Sequence, residues 1–119
     1  MTDLRVWRGD TVEIAVAAVK ADGSPLPLAG YTLRFSAKER LSDDDTDAVI
    51  SKMSPDNGIA IDDEPGGLAT VTLAASDTEA FAGPRTLVWD IQMAAATGEV
   101  KTLDSGRLYV APDVTRATV

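Results

Sequence analysis

The side chains best suited to chemistry in this sequence are carboxylates, and one dense cluster lies in the segment SDDDTD, residues 42–47. Carboxylate oxygens are the ligands that Ca²⁺ prefers, so this segment is a candidate calcium loop. It lacks the central glycine and the closing bidentate glutamate of a helix-loop-helix calcium loop, which favours an exposed acidic loop instead. Asp43, Asp44 and Asp45 are therefore candidate contacts with another protein.

A second acidic cluster lies in DDEPGG, residues 62–67. Two carboxylates can act together as a general acid and a general base when they flank a substrate. These carboxylates stand side by side in a turn-forming segment, with no partner elsewhere in the sequence. The pattern predicts a surface turn.

The sequence contains no Cys and no His. Thiol nucleophiles, the commonest metal ligand and the commonest general base are therefore missing. There is no G-x-S-x-G nucleophile motif, and PGGLA, residues 65–69, lacks the Lys-Ser/Thr of a nucleotide-binding loop. We expect a protein that is not an enzyme and needs no cofactor or metal.

Arg8-Gly9-Asp10 matches the tripeptide of integrin-binding adhesion proteins. Adhesion requires an exposed loop on a secreted protein, and the segment MTDLRVWRGD has no apolar region of a signal peptide. Gly and Asp are also common turn residues. We expect a corner between two strands, at which Gly9→Val damages folding and Arg8→Ala does not.

The formal net charge is −8, and no basic stripe runs along the sequence. An acidic protein repels the phosphate backbone, so we expect no nucleic-acid partner. The longest apolar run is far short of a membrane span, so we expect no membrane association.

Alternation of apolar and polar residues predicts most of the structure. In the segment 11–20, Val12, Ile14, Val16 and Ala18 face one way, and period 2 with β-branched residues is typical of a half-buried strand. The strands predicted in this way are 2–7, 11–20, 31–39, 49–53, 59–62, 68–75, 85–94 and 101–111, with a bulge at Ser105-Gly106.

A single helical turn is predicted at 76–81, because Ser76 precedes Glu79 at the spacing of a capping box. Gly83-Pro84 ends it, and Phe81 is expected to pack as a plug. About seven to nine short strands with frequent turns indicate an all-β antiparallel sandwich, formed by one domain over residues 1–119. The terminal segments 1–7 and 111–119 are candidates for extension onto a neighbouring subunit.

The sequence predicts different environments for the two tryptophans. Trp89 is in register with Leu87 and Ile91, so we expect it in the core. Trp7 is out of phase with Leu4 and Val6, and Trp is enriched at interface hot spots. Trp7 is therefore a candidate interface residue.

Several segments together resemble a known family. They are RGDT at 8–11 before a strand, Gly66 followed by ATVTL, Asp77-Thr78 ahead of Phe81, and Trp89-Asp90 followed by GEVKTLDSG. In this order they resemble the small immunoglobulin-like β-sandwich proteins of tailed bacteriophages. The sequence is similar to the N-terminal domains of baseplate upper proteins and to stand-alone tail or head accessory proteins.

The resemblance implies an immunoglobulin-like β-sandwich and a structural role in the virion, after synthesis in the bacterial host cytoplasm. It carries no catalytic or ligand residue onto this sequence. Baseplate upper proteins continue into a fibre, whereas this sequence ends at Val119, so the expectation is a small virion part held by its neighbours. The expected partners are tail, baseplate or capsid subunits and further copies of the chain in a symmetric array. The alternative is a carbohydrate-binding or host-adhesion module.

Overall fold

A computed structural model describes residues 3–40, 48–54, 57–79, 81 and 84–112. Within these ranges the chain forms eight strands and one helical turn. In chain order they are β1 (Leu4–Trp7), β2 (Val12–Ala17), β3 (Tyr31–Lys38), β4 (Ile50–Met53), β5 (Ile59–Asp63), β6 (Leu68–Leu73), α1 (Ala75–Thr78), β7 (Arg85–Ala95) and β8 (Val100–Ala111).

The strands form two sheets. The large sheet has the order β1-β8-β7-β3-β4, and the small sheet has the order β2-β6-β5. The all-β class is confirmed. Among the strands, the prediction of purely antiparallel pairing is wrong for one pair: β1 runs parallel to β8, with Leu4 opposite Leu108 and Trp7 opposite Ala111. The sequence alternation fixes which side chains point inward, but it carries no information on strand direction.

The core contains inward-facing residues of both sheets, as the alternation predicted. On β7, Leu87, Trp89, Ile91 and Met93 are buried, and the residues between them are not. Trp89 is only 6% exposed, and its ring stacks on that of Phe35 with centroids 5.6 Å apart. The core prediction for Trp89 is therefore confirmed.

The helical turn lies at Ala75–Thr78 rather than at 76–81, and Ser76 does not cap it. The N-cap is Ala74, whose backbone N–H donates to Asp77 Oδ2 at 2.6 Å. The same carboxylate pairs with Lys52 Nζ on β4 at 2.9 Å. A tertiary contact therefore fixes the start of α1, which the local spacing of Ser76 and Glu79 could not reveal. Phe81 is half-buried against the core, consistent with the expected plug.

The irregularity in β8 is also displaced from its predicted position. Ile91 pairs with Asp104 and Gln92 with Thr102, which leaves Leu103 as the extra residue. Ser105 and Gly106 pair regularly with Asp90 and Trp89. The bulge thus precedes the glycine that suggested it.

Candidate interaction surface

The Arg8-Gly9-Asp10 segment is the corner between β1 and β2. Gly9 has a φ of 81°, a conformation that side-chain-bearing residues rarely adopt. Asp10 N donates to Trp7 O at 3.1 Å, and Arg8 N donates to Ala111 O at 2.8 Å. The corner moves the chain from the large sheet to the small sheet.

Side-chain contacts tie this corner to α1. The Arg8 guanidinium donates from Nη1 to Glu79 O at 2.5 Å and to Phe81 O at 3.2 Å. Gly9 N donates to Oγ1 of the buried Thr78 at 2.9 Å. Arg8 thus connects two segments about 70 residues apart, and these contacts change the expectation that Arg8→Ala leaves folding untouched. They also turn the guanidinium toward the protein, whereas an adhesion motif presents it to a receptor.

Trp7 lies on the outer face of the large sheet, with 48% of its surface exposed. Alternation along β1 turns Leu4 and Val6 inward and places Arg5 beside Trp7 on the outer face. The Arg5 guanidinium is 5.3 Å from the Trp7 ring centroid and 5.4 Å from that of Tyr109, its register neighbour on β8. We call these three residues the aromatic cluster.

Stacking on two rings orders the Arg5 side chain, because the π-faces attract the cation. An ordered arginine between two aromatic rings loses little conformational entropy when a partner binds. Trp, Tyr and Arg are the residues most enriched at interface hot spots. The aromatic cluster can therefore anchor a protein contact.

The outer face continues from the aromatic cluster across β8, β7 and β3. Val88 lies between Arg107 on β8 and Lys38 on β3. One row further, Asp90 lies between Ser105 and Ser36. Around Val88 and Asp90 the face presents short and basic side chains on paired strands, which suits contact with a broad surface.

The sequence-predicted acidic residues fall in different places. Asp43, Asp44 and Asp45 lie outside the described residues, so their calcium and contact roles stay predictions. Asp62 Oδ2 accepts the Thr70 hydroxyl at 2.6 Å, and Asp63 Oδ1 accepts the Gly66 N–H at 3.2 Å. These two carboxylates take part in local hydrogen bonding at a strand end, and the described part of the chain contains no cluster of three or more metal-ligating side chains.

One carboxylate has a clearly shifted pKa. The Ser24 hydroxyl donates to Asp22 Oδ1 at 2.6 Å, and the Ser24 N–H donates to the same oxygen at 3.0 Å. These hydrogen bonds stabilise the ionised form and lower the pKa of Asp22 below its ordinary value. The shift belongs to an exposed turn and marks no reactive group.

The gap between the two sheets opens at a cleft of about 210 Å³ beside β2 and β8. Its lining is apolar, with Ile14, Val16, Trp89 and Leu103 among the side chains, and Asp104 is the ionisable residue that reaches it.

Comparisons of the chain with protein-family models, with curated proteins and with solved structures find no match. Among the described residues, no helix has the length and apolar character needed to cross a membrane.

Sequence reasoning identified Trp7 but missed its two neighbours. Arg5 has a usable signal, because it shares with Trp7 the phase opposite to Leu4 and Val6. Tyr109 has none, since its place beside Arg5 depends on the parallel pairing of the first and last strands.

Proposed function

We propose that this chain is a non-enzymatic structural protein of a tailed-bacteriophage virion, held on the tail, baseplate or capsid by protein–protein contacts. The resemblance of the sequence to small phage accessory proteins supports the virion. The aromatic cluster on the large sheet supports binding to a neighbouring protein, and it is the observation that carries the contact role.

The strand order supports an immunoglobulin-like arrangement. In immunoglobulin sandwiches one sheet contains strands B, E and D, and the other contains C, F and G, with an added C′ in variable-type domains. The small sheet β2-β6-β5 corresponds to B-E-D, and β8-β7-β3-β4 corresponds to G-F-C-C′. In this correspondence β1 takes a place beside the last strand.

The proposal is tested in particles of the phage that encodes the chain. Quantitative mass spectrometry of purified particles is expected to find the protein at a fixed ratio to the major capsid protein. Trp7→Ala is expected to lower that ratio, because loss of a hot-spot tryptophan costs about 2 kcal/mol or more in binding, which is about a 30-fold loss of affinity.

Val19→Ala is the matched control. Val19 is an apolar residue that is 51% exposed, and it follows β2, outside the strands of the large sheet. This variant is expected to enter particles at the wild-type ratio. Absence of the wild-type protein from purified particles would refute the virion proposal. An unchanged ratio for Trp7→Ala would remove the aromatic cluster as the anchor.

The exposed ring of Trp7 favours one other function, a carbohydrate-binding or host-adhesion module. Sugar rings stack on exposed aromatic side chains, and Trp7 offers such a surface. A glycan array probed with the wild-type protein and with Trp7→Ala distinguishes the two functions. Binding that disappears with the tryptophan supports adhesion, and a blank array for both proteins argues against it.

A further inference from the structure

The charged residues of the strands are divided between the two sheets. Seven of the eleven basic residues lie in the strands of the large sheet, which contain only two acidic residues, Asp90 and Asp104. The strands of the small sheet contain no Lys or Arg and three carboxylates, those of Glu13, Asp62 and Asp63. A protein with a net charge of −8 therefore has one basic sheet.

Four of the basic residues belong to the outer face of the large sheet, which we call the basic face. Arg5, Arg34 and Arg107 are exposed, and Lys38 is half-exposed. Their strand positions alternate with buried residues such as Leu33, Phe35 and Leu108, so their side chains leave the sheet on the solvent side. Two carboxylates accompany them, Asp90 on β7 and Asp3 before β1. The cations outnumber the anions on this face.

The outer face of the small sheet, which we call the acidic face, has the opposite sign. Glu13 and Asp62 are exposed on β2 and β5, and Asp63 is exposed at the end of β5. The remaining outward residues are small or uncharged: Ala15, Ala17, Ala60, Leu68, Thr70 and Thr72. The face is flat enough for another sheet to approach, because no large charged side chain stands at its centre.

We infer that the basic face of one copy binds the acidic face of a second copy. Complementary charge favours this orientation and opposes the two like-face arrangements. The aromatic cluster lies at the β1 edge of the basic face, so the charges on β8, β7 and β3 carry the contact with a second copy. The inference rests on the proposed function only in that both use the outer face of the large sheet.

The expected contact is weak for an isolated pair. Three strands about 4.8 Å apart and six residues long cover roughly 14 by 20 Å, or about 300 Å². A stable interface buries about 800 Å² on each partner. Because the two faces are different surfaces, the contact is heterologous and repeats from copy to copy, which gives a ring or an open row. Repetition on a lattice raises the effective concentration of each further contact.

Two double variants, in which uncharged residues replace charged ones, test the inference. Association is measured by sedimentation velocity at about 1 mM protein, a concentration that detects millimolar affinity. Arg34→Gln with Arg107→Gln weakens the basic face, and Glu13→Gln with Asp62→Asn weakens the acidic face. Neutral replacements are used because reversed charges would create a new contact of opposite polarity. Lys20→Gln with Lys101→Gln is the control, since both residues are exposed and lie off the two faces. Circular dichroism establishes that each variant is folded.

The wild type and the control are expected to form species larger than dimers, and each face variant alone is expected to remain monomeric. An equimolar mixture of the two face variants is expected to stop at a 1:1 dimer, because one intact basic face meets one intact acidic face. Salt at about 1 M shortens the Debye length to about 3 Å and is expected to abolish association.

A wild type that stays monomeric, or a mixture of the face variants that does not dimerise, would overturn the inference. So would face variants that assemble as the wild type does. If the protein is nevertheless found in purified particles, the proposed function stands without this contact.

Discussion

Replacing Gly67 with alanine places a methyl group where the backbone leaves no room for one. Gly67 has a φ of +71°, and a Cβ there would lie 2.7 Å from both Ala18 O and Leu26 O. Ala18 N donates to Gly67 O at 2.8 Å, and Leu26 N donates to Ala18 O at 2.9 Å. This crossing joins the end of β2 to the start of β6, so it supports the acidic face.

The cost of Gly67→Ala has two parts. A left-handed conformation costs a non-glycine residue about 1 to 2 kcal/mol. Two carbonyl groups must also move by several tenths of an ångström, which weakens at least one hydrogen bond worth about 1 kcal/mol. We expect a loss of about 2 to 3 kcal/mol in the free energy of unfolding.

Gly23→Ala is the matched control. Gly23 has a φ of +86°, and a Cβ there would meet nothing within 4 Å. The change in the unfolded chain and the left-handed backbone cost are shared by both substitutions, so the difference of about 1 kcal/mol isolates the close approach at Gly67. Equilibrium urea denaturation measures this difference in the free energy of unfolding, provided that the dependence of that free energy on urea concentration is unchanged. Equal destabilisation of the two variants would refute the steric reasoning.

Three further perturbations address the contacts around α1 and the first turn. Arg8→Ala leaves two carbonyl groups without their charged donor. We expect urea denaturation to show a loss of about 1 to 2 kcal/mol in the free energy of unfolding, with Arg8→Lys intermediate. An unchanged denaturation midpoint would contradict this reasoning. Lys52→Met removes the partner of Asp77, whose side chain is only 19% exposed. We expect the free energy of unfolding to fall by about 1 to 2 kcal/mol, less than for a fully buried pair. A variant as stable as the wild type would show that the ion pair contributes nothing. Ser24→Ala removes the hydroxyl that lowers the pKa of Asp22, so an NMR titration is expected to find the pKa of Asp22 nearer its ordinary value. In the wild type, the ionised Asp22 stabilises the fold above its ordinary pKa, and this contribution is lost as the pH falls through the lowered pKa. Identical titration curves for the wild type and the variant would contradict the assignment.

Alternation in the sequence predicted the strands because half-buried strands repeat with period 2. It placed Leu87, Trp89, Ile91 and Met93 in the core. What it could not supply was the sheet to which each strand belongs. The division of charge between the sheets became visible only with the pairing of β8, β7 and β3.

The errors have a common physical origin in contacts between distant residues. The start of α1 depends on Asp77 and on Lys52 in strand β4, so the local spacing of Ser76 and Glu79 misplaced it. The bulge occurs at Leu103, where β8 has one residue more than β7 in their pairing. The nearby Gly106 did not indicate its position. The contacts of Arg8 reach Glu79 and Phe81. No local pattern in the sequence encodes such partners.

The parallel pairing of β1 with β8 also sets an order of events during synthesis. Asp3 and Arg107, whose side chain and backbone meet, are separated by 104 residues. A ribosome adding about 5 to 20 residues per second needs roughly 5 to 20 s to make that stretch. Leu4 and Val6 therefore have no strand partner until β8 has been synthesised. Strand β1 is a short edge strand paired with β8, and hydrogen exchange is expected to find it among the first to fray.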